Sequence, residues 1–327
     1  MFRQWARQAQ PGGYPDRIVM RLNVPSDQAV KAVEHGRADV LLSAPPASIG
    51  QLATRYAGQL HSGPEANTLA FTLNTRVAPF SDLAARQAVN YAIDRNEVVA
   101  LNGGPLTVQP TCQILPPALS GYHPYCPYTI LPSASGDWTA PNLALARRLV
   151  RASGTRGDKV TVLGSNQGTL EPSLATGRYL VSVLDQLGYR ATLRTTSPLR
   201  YYNVLDNSRE RIQIGFFGWQ ADFPAPSDFI DPLFTCASFV PNSPANVNTA
   251  EFCDPRIDVQ GQRALALQVG DPAKAAGQWA RIDREIVNQA PWVPLYNPRT
   301  LTVVARRVGN YQFHPYWGLL IDQLWVR

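Results

Sequence analysis

Residues 218–223, with the sequence GWQADF, carry the side chains best suited to binding chemistry in this chain. They follow a nearly all-apolar stretch, residues 213–217, whose pattern predicts a strand, and ligands of open α/β sheets bind outside the carboxyl ends of strands. A ligand with an apolar body and a cationic group would stack on Trp219 and form a charge-assisted hydrogen bond to Asp222. The alternative is structural, with Trp219 packed in the core and Asp222 capping the turn before Pro224.

Two asparagines, Asn246 and Asn248, are a second candidate for ligand contacts, in the loop that precedes Cys253. An amide side chain both donates and accepts hydrogen bonds, so it can bind the backbone of a ligand. Asparagine also favours turns, and the sequence leaves both roles open.

Sequence signatures of enzymes and metal sites are missing from the chain. It has no GxSxG nucleophile elbow, no GxxxxGK[ST] phosphate loop, no GxGxxG fingerprint and no HExxH zinc motif. The 4 histidines are far apart in sequence, and none shares a predicted helix with another at ligand spacing. We therefore expect a non-catalytic protein without a metal ion or another cofactor.

Composition is that of a folded protein large enough for two domains. The chain has 327 residues, of which 45% are hydrophobic and 17% charged. Its net charge of +6 is spread along the chain, with no more than two basic residues in a row. A nucleic-acid interface needs clustered basic residues with interleaved aromatics, so we expect no nucleic-acid partner.

The 4 cysteines form two local pairs, Cys112 with Cys126 and Cys236 with Cys253. Neither pair has the CxxC spacing of zinc or redox sites. A disulfide in each pair would close a loop and add about 3 kcal/mol of stability, and it would place the protein in an oxidising compartment. Reduced thiols, or disulfides that cross between the two loops, are the alternatives.

Strand and helix patterns alternate along the chain and predict an α/β fold. The first segment predicts a parallel βαβ unit, with a strand at 17–22, Ser26 as the cap of a helix at 27–34, Gly36 as its stop and a strand at 38–42. Further helices are predicted at 82–93 (capped by Ser81), 97–101 (capped by Asn96), 142–153, 174–187, 200–205, 257–269 and 272–289. Further strands are predicted at 69–73, 160–163, 189–194, 213–217, 291–296 and 300–305.

Three distant segments carry a family resemblance: NTRVAPFSDLAARQAVNYAIDR at 74–95, GWQADFPAP at 218–226 and APWVPLY at 290–296. In this order they resemble the extracytoplasmic solute-binding proteins of peptide/nickel-type ABC importers, family 5. The resemblance runs from about residue 14 to the end of the chain. It implies a periplasmic-binding-protein-like fold of type II, an α/β clamp whose two lobes close on a solute.

The resemblance also implies a division of the chain between the lobes. Residues 1–95 would form part of lobe I, residues 96–297 would form lobe II, and residues 298–327 would return to lobe I. Members of the family carry a considerable further segment before the position of Gly13. We therefore expect an incomplete first lobe and an N-terminally truncated chain.

Several site residues follow from the family motifs. The aspartate of its GW-x-x-D-[YF] motif holds the free α-amino group of bound peptides, and that role falls on Asp222. The ligand-binding residues implied in this way are Trp219, Asp222, Phe223, Asn246 and Asn248. The chain departs from the motif at Ala225, where members commonly have an acidic residue, so the ligand could also be a nickel chelate, an opine or a sugar.

The function implied is that of a monomeric receptor that binds a peptide or a small cationic solute and delivers it to a membrane permease. Such a receptor lies outside the cytoplasm, anchored as a lipoprotein through an N-terminus that this chain lacks; its first residues have no apolar signal-peptide core. The alternative is a ligand-sensing domain of a larger regulatory protein whose N-terminal module is missing.

Overall fold

The computed structural model describes residues 14–166 and 174–327. The chain forms two compact units, a small unit of residues 1–65 and 299–327 and a large unit of residues 66–298. The two units reflect which residues pack together. The predicted assignment of residues 1–95, 96–297 and 298–327 to lobes of a clamp stays a prediction.

The secondary structure alternates helices and strands over most of the described chain. The helices are α1 Ser26–Glu34, α2 Ile49–Arg55, α3 Leu83–Ala92, α4 Arg95–Leu101, α5 Leu143–Ala152, α6 Leu174–Leu187, α7 Pro198–Leu205, α8 Ser227–Phe234, α9 Pro255–Gly270 and α10 Pro272–Gln289. The strands are β1 Val40–Leu41, β2 Leu60–Pro64, β3 Asn67–Leu73, β4 Val108–Pro110, β5 Lys159–Ser165, β6 Arg190–Thr196, β7 Ile214–Gln220, β8 Trp292–Val304, β9 Val308–Gly309, β10 Phe313–His314, β11 Gly318–Leu319 and β12 Trp325–Val326.

A mixed sheet organises the large unit. The first part of β8 pairs antiparallel with β3, and β3 pairs antiparallel with β7. On its other side β7 runs parallel to β5, and β5 runs parallel to β6. Strand β4 pairs with β8 near Pro298. Residues 214–217 of β7 are all buried, so the strand is covered on both faces of the sheet, which requires an apolar stretch.

Helices α3, α5 and α6 contribute apolar faces to the core of the large unit. On α3 the buried positions Ala85, Ala88, Val89 and Ala92 recur at helical spacing and face the core. The cap of this helix differs from the prediction, because Asp82 and not Ser81 accepts the N–H of residue 85.

Helix α4 begins earlier than predicted because Asp94 caps it. The Asp94 carboxylate accepts the N–H groups of Asn96 and Glu97, so Asn96 lies inside the helix and is not its cap. The predicted ranges of the longer helices are confirmed, with ends that move by no more than two residues. Their long apolar periodicity is a stronger signal than the short-range choice between neighbouring capping residues.

The small unit pairs the last part of β8 antiparallel with β2 and β1, at Leu60 opposite Val303 and Val40 opposite Val304. Its core is formed by α1, α2 and β8, with Leu52 fully buried. Towards the C-terminus β10 pairs with β11, and β9 pairs with β12.

The predicted parallel βαβ unit in this region is wrong. Residues 17–22 form no strand and their apolar side chains are exposed, because an alternating pattern becomes a strand only when another strand pairs with it. Strand β1 is antiparallel to its partner. Ser26 makes no side-chain cap and is the first residue of α1, whereas Gly36 follows the helix with φ +67°, as predicted.

Both local cysteine pairs form disulfides, Cys112–Cys126 and Cys236–Cys253, as predicted. The crossed pairing is thereby excluded. Among the helices of residues 14–166 and 174–327, none combines the length and apolar character needed to span a membrane.

Candidate functional site

Strand β7 carries Trp219 near its carboxyl end, opposite Thr68 of β3. The preceding residue is Gly218, and a Cβ there would overlap Cδ1 of Leu69 on the neighbouring strand. A larger residue at this position would therefore require the Leu69 side chain to move.

The indole of Trp219 is half-buried and continues an aromatic row from the core. It stacks on Phe217, two positions earlier on the same face of β7, with ring centroids 6.4 Å apart. Phe217 packs in turn against the buried ring of Trp292, at 5.8 Å. The row holds one side of the Trp219 ring in the protein and leaves part of it accessible.

The turn after β7 presents Asp222 and Phe223 to solvent. The N–H of Ala221 donates to the carbonyl of Ala66 at 2.8 Å, which ties the start of the turn to the segment before β3. Asp222 is exposed, and the Phe223 ring is 48% exposed. The alternative roles for this segment, a Trp219 fully packed in the core and an Asp222 side chain used as a turn cap, do not describe these residues.

A carboxylate that sequence reasoning missed, Asp228, lies behind this turn. Its Oδ2 accepts the indole N–H of Trp219 at 3.3 Å and the backbone N–H of Asp222 at 2.9 Å. Burial raises the pKa of Asp228; the two N–H donors lower it, and the charge of Asp222 adds to the rise. Asp228 lies two positions after Pro226 in the first turn of α8, a helix that the sequence pattern did not predict.

Asn246 is buried and makes its hydrogen bonds inside the large unit. Its amide N–H donates to the carbonyls of Asp206 and Asn248, at 3.2 and 3.1 Å, and its oxygen accepts the N–H of Val240 at 3.1 Å. These bonds shape the turn that follows residue 239.

Asn248 is fully buried in the same loop. Its amide N–H group donates to the carbonyls of Thr235 and Phe252, at 3.2 and 2.8 Å, and to the hydroxyl of Ser238 at 3.2 Å. Its oxygen accepts the N–H of Phe252 at 3.0 Å. The side chains of Asn246 and Asn248 thus hold their loop through buried hydrogen bonds, and their predicted contact to a ligand stays a prediction.

The remaining chemistry of the described residues is sparse. In residues 14–166 and 174–327 no group of three or more His, Cys, Asp or Glu side chains is arranged to hold a metal ion. The geometry of residues 219–223 suits non-covalent binding, with an aromatic surface beside an exposed carboxylate.

Comparisons with known proteins identify the family. Residues 3–240 match the family described as bacterial extracellular solute-binding proteins, family 5 Middle. The chain is similar to the probable di/tripeptide-binding protein 5 of Pseudomonas aeruginosa (strain UCBPP-PA14), with 24% identity over 307 residues that cover 92% of this chain and 54% of the relative. The chain spans about half the length of the curated relatives it matches.

Solved structures share its fold. Clavulanic acid biosynthesis oligopeptide binding protein 2 is 21% identical with a TM-score of 0.81, over 93% of this chain and 55% of that one. The periplasmic binding protein DppA from Helicobacter pylori, in complex with the peptide STSA, is 19% identical with a TM-score of 0.70, over 97% of this chain and 58% of that one. The predicted α/β fold of the type II periplasmic-binding-protein class is therefore confirmed, and the chain belongs to the bacterial extracellular solute-binding proteins of family 5.

Proposed function

We propose that this chain is the solute-binding receptor of an ABC importer and that it binds peptides, or a related small cationic solute, through Trp219, Asp222 and Phe223. The observation that carries the proposal is the pairing of a half-buried indole with an exposed carboxylate at the carboxyl end of β7. The indole accommodates an apolar side chain, and the carboxylate accepts N–H bonds from an ammonium group.

The relatives support a peptide as the ligand class. One is named for di- and tripeptide binding, another is named a glutathione-binding protein, and one structure holds the peptide STSA. Peptides of these kinds carry a free α-amino group, and the resemblance to the family motif assigns the role of binding it to Asp222. The proposal for this chain is therefore recognition of the peptide N-terminus by Asp222.

The cellular setting follows from the same proposal. An importer receptor works outside the cytoplasm, and the two disulfides favour an oxidising compartment. We propose a monomer, attached to the membrane as a lipoprotein, that delivers its ligand to a permease. Related receptors are binding proteins, so no chemical change of the ligand is expected.

Calorimetric titration of the full chain with free and N-acetylated peptides tests the role of Asp222. We expect micromolar affinity or tighter for at least one of the dipeptide Met-Leu, the tetrapeptide Ser-Thr-Ser-Ala or an opine, and weaker binding of the acetylated form of each peptide. The Asp222→Ala variant should weaken binding about tenfold or more, because a hydrogen bond to a charged group contributes roughly 1.5–3 kcal/mol.

Glu97→Gln is the matched control, since it removes an exposed carboxylate from another part of the large unit. It should leave the affinity unchanged. Full affinity in Asp222→Ala would refute the assigned role of Asp222, and an absence of binding by every probe would refute the proposed function.

A further inference from the structure

We infer that Asp228 is a positioning residue of this site, whose carboxylate holds the indole of Trp219 and the backbone of Asp222 in one fixed arrangement. The effect of Asp228 on ligand binding rests on the proposed function. The hydrogen-bonded arrangement of Trp219, Asp222 and Asp228 exists in the ligand-free protein and can be tested without a ligand.

The geometry of the hydrogen bonds carries the inference. One oxygen atom, Oδ2 of Asp228, accepts from the indole at 3.3 Å and from the backbone of Asp222 at 2.9 Å. The two donors lie nine and six positions earlier in the chain, so a single carboxylate closes the whole corner from Trp219 to α8. Asp228 is 4% exposed, so these bonds form where water competes little for the donors.

The start of α8 suits a carboxylate in this place. Asp228 lies in the first turn of the helix, where the helix dipole favours a negative charge. Its neighbours Phe229 and Ile230 are fully buried, which fixes the helix and with it the carboxylate. A rigid support of this kind orients the residues that touch the ligand.

A consequence for recognition follows from the bonded indole. Because the N–H of Trp219 is already donated to Asp228, the indole offers a ligand its ring surface and not a hydrogen-bond donor. A fixed ring also loses little side-chain freedom when the ligand binds, which preserves affinity. The site would therefore select for a ligand side chain that stacks on the ring, next to the ammonium group bound by Asp222.

Fluorine NMR of the full chain labelled with 5-fluorotryptophan tests the arrangement without ligand. The chain has 7 tryptophans, and Trp219→Phe identifies the resonance of Trp219 by its loss. We expect Asp228→Ala to shift or broaden that resonance. Asp228→Asn should keep it near its original position, because the asparagine oxygen still accepts N–H bonds.

Asp82→Ala is the control for a general loss of stability. It removes the carboxylate that caps α3, another helix of the large unit, and should leave the Trp219 resonance unchanged. An unchanged resonance in Asp228→Ala, or an equal shift in Asp82→Ala, would overturn the inference.

Binding gives the second test. For a peptide that the wild type binds, Asp228→Ala should raise the Kd about tenfold, because alanine accepts neither N–H group. Asp228→Asn should raise the Kd about threefold or less, because the asparagine oxygen can still accept them. Equal affinities of Asp228→Ala and wild type, or equal losses in both variants, would overturn the positioning role. If the wild type binds none of the probes, the proposed function fails, whereas the NMR result still decides the role of Asp228.

Discussion

The guanidinium of Arg95 is fully buried and donates hydrogen bonds to backbone carbonyls of the large unit. Its Nε donates to the carbonyls of Thr111 and Pro294, at 2.8 and 3.0 Å, and Nη1 donates to that of Asn90 at 3.5 Å. The neighbouring Asp94 carboxylate accepts backbone N–H groups as the cap of α4. Arg95 is thus a cross-link between β8, the loop after β4 and the end of α3.

Replacement of Arg95 by lysine should lower the free energy of unfolding by about 3 kcal/mol. The single ammonium group of lysine lacks the planar fork of N–H donors with which the guanidinium reaches three separate carbonyls. Urea denaturation measures the change. The control Arg148→Lys alters an exposed arginine of α5 and should leave stability within about 0.5 kcal/mol of the wild type. A similarly small effect of Arg95→Lys would contradict the structural role.

At the scale of elements, the loop 235–254 is held by one disulfide and by the buried amides of Asn246 and Asn248. Asn248 alone accounts for four hydrogen bonds in this loop. Asn248→Ala would leave both the N–H and the carbonyl of Phe252 without their partner. We expect a loss of about 2 kcal/mol in the free energy of unfolding, measured by urea denaturation.

The same variant separates the two roles that the sequence left open for this residue. Loop support predicts a loss of stability with or without ligand, whereas a ligand contact alone predicts weaker binding at unchanged stability. Asn96→Ala, on the exposed side of α4, is the control and should change neither quantity.

Elements with a long periodic pattern were predictable from the sequence, whereas an alternating pattern alone did not reveal whether a partner strand is present. The helix at 272–289 matches α10 at both ends because its apolar spacing persists over 18 residues. Residues 17–22 have an equally clear alternation but no strand paired with them, and they form no regular structure and are exposed.

The candidate site also contains residues that the sequence predicted and one that it did not. Trp219 and Asp222 were predicted as site residues because a family motif and the end of an apolar strand coincide in sequence. Asp228 was missed because its role comes from two hydrogen bonds that only the fold creates. Asn246 and Asn248 matched the family by position, yet their burial is a property of the folded loop.

The long loop between β4 and α5 shows how distant elements order a segment without periodicity. Asp283 of α10 accepts the side-chain N–H of Gln113 at 2.8 Å and the backbone N–H groups of Ile114 and Leu115 at 3.1 and 3.4 Å. Gln113 in turn accepts the N–H of Tyr125 at 2.7 Å. A buried carboxylate therefore supports both ends of the loop that the Cys112–Cys126 disulfide closes.

For the molecule as a whole, buried carboxyl groups make stability depend on pH. Burial raises the pKa of Asp206 and of Asp283 to about 7, and for Asp283 the three N–H donors oppose the rise. The ordinary value is 3.8, so between these two values the folded state binds protons that the unfolded state has lost. Stability is therefore highest on the acid side and falls as the pH rises through about 7.

Other groups fix the pH range in which this effect is seen clearly. Burial lowers the pKa of His61, which opposes the trend mainly near and below the ordinary histidine value of 6.5. The hydrogen bond from Arg256 helps lower the pKa of Asp254 to about 2, so its contribution is complete well below neutral pH. Between pH 6.5 and 8 the two carboxyl groups with a raised pKa, Asp206 and Asp283, dominate the pH dependence. The ionisation of each should lower the free energy of unfolding by about 1 kcal/mol over that interval.

Asp206→Asn tests this account, because Oδ1 of Asp206 is buried with no hydrogen-bond partner among the described residues. The wild type should lose about 2 kcal/mol in the free energy of unfolding between pH 6.5 and 8, and the variant should lose about half as much, because Asp283 still titrates. Urea denaturation at the two pH values measures both losses, with Glu97→Gln as a control that keeps the wild-type slope. A variant whose stability falls as steeply as that of the wild type would show that Asp206 is ionised in the folded protein at pH 6.5, contrary to its burial without a partner.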